Sequence, residues 1–145
     1  MKSIYQMAVE FKKKYPKTIA FRLGKHAKVI EEHLYQGEVV SYVFCGQKNF
    51  HSYMWCNSCV VAVTDKRLVI GQKRFFWGYF FTTVTPDLYN DLKVVNNLIW
   101  SDVNIDTVSE KIYISNLDPK GAIDIQKNIT KFMMEEKKKY GKKNN

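Results

Sequence analysis

No apolar run in this chain approaches the roughly twenty residues that a bilayer-spanning helix needs, so a transmembrane helix is excluded. The N-terminal stretch carries Lys12, Lys13 and Lys14 inside an amphipathic pattern, not ahead of an apolar core, and so lacks the layout of a secretory signal. A cytoplasmic location is expected, where the only three cysteines, Cys45, Cys56 and Cys59, stay reduced. Missing too are a phosphate loop, a serine, histidine and acid pattern and a paired-carboxylate motif, so catalysis is not expected. No internal repeat or low-complexity linker interrupts the 145 residues, and their number fits one domain with an ordinary core.

Hydrophobic residues make up 46% of the chain and aromatics 14%, which places it with folded globules and not with disordered tails. Lys and Arg number 23 against 14 Asp and Glu, a net charge of +9 that brings phosphate, lipid and nucleic acid into view as partners. Five of the lysines fall in the last nine residues, so a solvated C-terminal end accounts for much of the excess; 139–145 is read as a basic tail.

The clearest local signal is Cys59 to Ile70, CVVAVTDKRLVI, in which two apolar, β-branched runs flank four polar residues and predict a tight hairpin. Val60, Val61, Ala62 and Val63 offer no polar face, which predicts a strand covered on both sides. Thr64 and Asp65 can hydrogen-bond to nearby backbone amides, while Lys66 and Arg67 are expected to keep the turn solvated. The returning strand, Leu68-Val69-Ile70, is expected to break at Gly71.

Around this hairpin the periodicity sets out the other elements. Ser3 caps a first helix with Ile4, Met7, Ala8, Phe11 and Tyr15 on one face, ended by Pro16. A second short helix is predicted over Lys25 to Tyr35, stopped at Gly37. His33 lies beside its apolar stripe and is read as a packing residue, since no partner at ligand spacing accompanies it. From Glu38 the period is two, giving a first strand to Gly46. Further strands follow at Tyr79 to Val84, Leu92 to Val95, Ile99 to Thr107 and Lys111 to Ser115. Asp118-Pro119 opens a last helix with Ala122, Ile125, Ile129, Phe132 and Met133 inward, which is expected to fray past Met134.

The apolar strand, Thr64-Asp65-Lys66-Arg67 and Leu68-Val69-Ile70 together resemble the central hairpin of bacterial pleckstrin-homology-like (PH-like) domains. The order of elements after it extends the resemblance over about Tyr35 to Lys138. The resemblance implies an α+β, mainly β fold: a seven-stranded antiparallel barrel or sandwich over 38–138, capped by the C-terminal helix. Residues 1–37 then form a helical extension of two helices packed on it. It also implies a non-enzymatic module that binds lipid headgroups, peptides or proteins, and self-association through barrel edges. In phosphoinositide-binding members, basic residues of the first strand and loop combine with a basic-x-Arg pattern on the second strand. Here Lys48 is present, but CVVAVT stands where that pattern should be, so no phosphoinositide site is carried over.

Trp55-Cys56-Asn57-Ser58-Cys59 has the W-C-x-x-C form of thiol oxidoreductases, whose first cysteine needs a helix N-terminus, yet a strand follows. His51, Cys45, Cys56 and Cys59 supply the four ligands zinc requires, but not at ribbon or finger spacing. The cysteines are therefore read as packing residues, and no metal or cofactor is expected. The site expectation comes from topology. In an up-and-down meander the first-to-second and third-to-fourth connections share one end, opposite the Thr64–Arg67 turn. One carries Lys48, Phe50, His51, Tyr53, Met54 and Trp55; the other carries Lys73, Arg74, Phe75, Phe76 and Trp77. Cations mixed with large aromatics suit a protein hot spot, an anionic membrane interface or stacked bases. Lys48, Phe50, His51, Trp55, Lys73, Arg74, Phe76 and Trp77 are expected to bind a protein partner. An anionic membrane is the first alternative and nucleic acid the second. The competing expectation is that these aromatics fold back against the barrel or the N-terminal helices.

Overall fold

A computed structural model describes residues 2–48 and 57–143. Its centre is a seven-stranded antiparallel sheet in the order β4-β3-β2-β1-β7-β6-β5, open between β4 and β5. The strands are β1 (Val40–Lys48), β2 (Ser58–Thr64), β3 (Leu68–Lys73), β4 (Tyr79–Val84), β5 (Tyr89–Asn96), β6 (Ser101–Thr107) and β7 (Lys111–Leu117). The arrangement is the expected one: two meanders, β1–β4 and β5–β7, bent into a sandwich and joined where Gln47 and Lys48 of β1 pair with Ser115 and Ile114 of β7.

Every residue of β2 is buried, as its unbroken apolar run requires. One face meets the sandwich interior; of two N-terminal helices, α1 (Ile4–Lys14) packs over β1, and α2 (Leu23–His33) covers the other face of β2. Ser3 caps α1 reciprocally: its hydroxyl accepts from the Gln6 amide, and the Gln6 side chain accepts from the Ser3 amide. In β6, Val103, Ile105 and Thr107 are buried while Asp102, Asn104 and Asp106 are half-exposed, which is the predicted alternation. The last helix, α3 (Pro119–Lys143), lays Ala122, Ile125, Ile129 and Met133 against the β5–β7 half and does not end at Met134.

Three local expectations are corrected. Gly71 does not end β3, which continues to Lys73. A Cβ at Gly71 would lie 2.6 Å from Ile30 Cγ1 and 2.8 Å from the His26 carbonyl, so the glycine is there to let α2 approach the strand. Arg67 does not solvate its turn; it is 4% exposed. Its Nε and a terminal nitrogen donate to Glu38 at 3.0 and 3.1 Å, and its other bonds reach the His33 carbonyl and Thr83. The second helix starts two residues earlier than predicted, because Arg22 adopts a left-handed conformation (φ 56°) that turns the chain into it, and ends at His33.

Candidate functional site

Register brings the two predicted loops to one end. Gln47 of β1 pairs with Ser58 of β2, and Lys73 of β3 pairs with Tyr79 of β4, so the β1–β2 and β3–β4 connections leave the same edge of the sandwich. Lys48 Nζ sits 5.7 Å from the centre of the Phe80 ring, a direct contact between them. The Thr64–Arg67 turn lies at the opposite end.

The β3–β4 connection, Arg74 to Gly78, is closed by the Arg74 amide donating to the Gly78 carbonyl at 3.0 Å, with Gly78 at φ 82°. That closure turns three consecutive rings outward. Phe76 is 82% exposed and Trp77 75%, and Phe75 packs edge-on against Phe76 with centroids 5.2 Å apart. Tyr79 and Phe80 are exposed beside them. The described aromatics here do not fold back into the sandwich. Only the neighbouring Phe81 turns in, stacked on His33 at 4.4 Å. His33, as expected of a packing residue, is held at both nitrogens, by the Val29 carbonyl and the Tyr79 hydroxyl.

Of the eight expected site residues, Lys48, Lys73, Arg74, Phe76 and Trp77 converge on this end. Phe50, His51 and Trp55 lie outside the described residues, as do Tyr53, Met54 and Cys56. A cleft of about 310 Å³ opens between Asn57, Gln72, Arg74, Trp77 and Phe80. Arg74 stacks over Phe80 at 5.4 Å.

One contributor was missed. Arg22, at the start of α2, stacks over Phe75 at 5.2 Å, and just beyond it His26 Nδ1 accepts the Lys73 amide at 2.8 Å. These contacts fix the first turns of α2 against the β3–β4 hairpin. Burial, with the Arg22 charge second, lowers the His26 pKa to about 4 despite a backbone hydrogen bond that opposes the shift, so the imidazole is neutral near pH 7. The sequence signal was Gly71: a glycine inside a β-branched strand marks close approach of another element.

Among the described residues the cations here are not spent on carboxylates: none of Arg22, Lys48, Lys73 and Arg74 forms an ion pair. Nor can β2 supply a basic pattern, since all its side chains are buried. Cys45 and Cys59 are buried within the sheet, and burial pushes both thiols up to about 12, so neither supplies a thiolate near pH 7. Among the described residues no group of three His, Cys, Asp or Glu side chains could hold a metal; Cys56 and His51 stand outside that statement. Among the described residues, too, no helix is long and apolar enough to cross a membrane.

The fold is similar to the crystal structure of a pleckstrin homology domain from Shewanella amazonensis SB2B, with a TM-score of 0.50 and 14% identity, over 77% of this chain and 88% of that one. A comparison with curated proteins finds no match. The family profile of the bacterial PH domain matches residues 34–134, from the end of α2 through most of α3, and the chain therefore belongs to the bacterial PH domain family.

Proposed function

We propose that this protein is a non-enzymatic binding module of the cytoplasm that engages a protein partner through the end carrying its β1–β2 and β3–β4 connections. The observation that carries the reading is the cluster of exposed Phe75, Phe76, Trp77 and Phe80 interleaved with Lys48 and Arg74, cations with no described carboxylate partner. Rings of this size exposed together are costly to leave in water, and aromatic residues with arginine dominate protein hot spots. The hydrogen-bonded hairpin beneath them holds the rings together at one tip, which limits the ordering that a partner must impose.

A second reading, an anionic membrane surface, is favoured by one feature: the three consecutive rings stand at a turn tip flanked by Lys73 and Arg74, a shape that can enter a headgroup layer. The absent basic-x-Arg pattern and the cleft beside the tip favour protein.

The test compares the parent with Lys73→Glu/Arg74→Glu and Phe76→Ala/Trp77→Ala in affinity capture from the native host and in flotation with phosphatidylserine vesicles. Loss of the same captured proteins in both variants supports the proposal. Capture that both variants leave intact overturns it, and loss confined to flotation moves the function to the membrane.

A further inference from the structure

The sequence places cations on the two connections, but the fold adds a third element to the same surface. Lys25 and Lys28 lie on the exposed side of α2, whose first turn contains no acidic residue. Together with Val29, Glu32, Lys73 and Tyr79 they line a second hollow of about 170 Å³. Lys73 is common to this hollow and to the cleft under the aromatic tip. Strand alternation divides them between the two faces of the hairpin: Gln72, Phe80 and the Arg74 stacked on it face the cleft, while Lys73, Tyr79 and α2 line the hollow, and Arg22 over Phe75 carries this α2-side furrow to the foot of the Phe76–Trp77 tip.

The charge along this furrow has one sign but for a single residue. Lys73, Lys25 and Lys28 line it, with Arg22 at its side over Phe75. The exception is Glu32, 3.9 Å from Lys28. A guanidinium stacked on a ring keeps its N–H edge directed outward, so Arg22 and Arg74 can be seated on Phe75 and Phe80 and still accept a carboxylate.

Resting on the proposed function above, we infer that the partner presents an acidic segment with an apolar or aromatic anchor: the anchor meets the Phe76–Trp77 tip and the carboxylates run along Lys73, Lys25 and Lys28. Charge complementarity selects the acidic residues. The furrow selects a chain over a bilayer, because a membrane would meet the convex tip and leave the hollow on α2 unfilled. Glu32 within that hollow also disfavours a row of phosphates, whereas a peptide can place an uncharged residue opposite it.

The probe is a short synthetic peptide rich in Asp and Glu with one Trp, labelled for fluorescence anisotropy. Its controls are a twin with Lys at every acidic position, oligothymidylate, and phosphatidylserine vesicles. The variants are Lys25→Glu/Lys28→Glu on α2 and Lys73→Glu/Arg74→Glu on the hairpin, each checked for an unchanged urea midpoint. Binding of the acidic peptide and not its twin, weakened about tenfold or more by each pair of reversals, supports the inference. Peptide binding lost in the hairpin variant but unchanged in the α2 variant overturns the extension onto α2 and leaves the hairpin site standing. Binding of vesicles or oligothymidylate without the peptide overturns the acidic segment in favour of that ligand. If no probe binds, the acidic segment is overturned, while the hairpin site is judged by the capture experiment alone.

Discussion

The two turns that bound β3 each carry an arginine and put it to opposite use. At one end Thr64-Asp65-Lys66-Arg67 draws its arginine inward: the Thr64 hydroxyl accepts from the Lys66 and Arg67 amides, Asp65 accepts from the Val39 amide, and Arg67 is buried on Glu38. At the other end Arg74 to Gly78 leaves a guanidinium and three rings in water. A buried cation must find a carboxylate, because an unpaired charge there would cost several kcal/mol. An exposed one need not, and is free for a partner. A basic residue in a turn says little about binding until its burial is known.

Removing the inward charge should have the largest effect. Arg67→Ala leaves Glu38 buried without its partner and should cost about 3–5 kcal/mol in urea denaturation. Arg74→Ala should stay within about 0.5 kcal/mol. Equal losses at the two positions would erase the distinction.

Acid offers a second way. Burial alone would raise the Glu38 pKa, but hydrogen bonds from Arg67, Thr64 and the Tyr35 amide outweigh it and hold the carboxyl at about 2. His26 is held at about 4, well below its ordinary 6.5, so the unfolded chain takes up a proton that the folded chain refuses. Its contribution, about 3 kcal/mol, is therefore complete above pH 6.5 and is lost as the pH falls towards 4. Glu38 adds its own loss from about pH 4.5 down to about 2. In His26→Gln, stability measured by urea at a series of pH values should flatten between 6.5 and 4, and the Glu38 limb should remain.

Packing beneath the outward turn is the third. Gly71→Ala drives a methyl into the His26 carbonyl and Ile30, and should cost about 1–3 kcal/mol. The same substitution should tilt α2 away from the hairpin, so a fall in peptide affinity with Lys25 and Lys28 intact would show that the furrow depends on this contact.

How much of this could be read from the chain follows the range of the interactions. The β2–β3 hairpin, the alternation in β6 and the Ser3 cap depend on near neighbours and are visible in sequence. Seven strands and the shared end of two connections follow from counting such elements in order. The fate of Arg67 does not, because its carboxylate is Glu38, twenty-nine positions upstream and just before β1. Nor does the place of α2: Gly71 resembles a strand breaker until the helix that needs the space is seen above it.

The smallest expected effect on stability is the sharpest for function, because exposed hydrophobics also occur elsewhere. Leu98, in the β5–β6 turn, is 99% exposed, more than Phe76, and Ile99 beside it is exposed too. No cation stacks on a ring there among the described residues, and the nearby Trp100 is tied down by its Nε1 donating to the Lys17 carbonyl at 2.7 Å. If exposure alone made a binding surface, Leu98→Ser and Phe76→Ser would impair capture equally. If the pairing of rings with unspent cations makes it, Phe76→Ser should lose most of the captured partner and Leu98→Ser should lose none. Both should keep their unfolding free energies in urea within about 0.5 kcal/mol of the parent, since neither side chain supports the core.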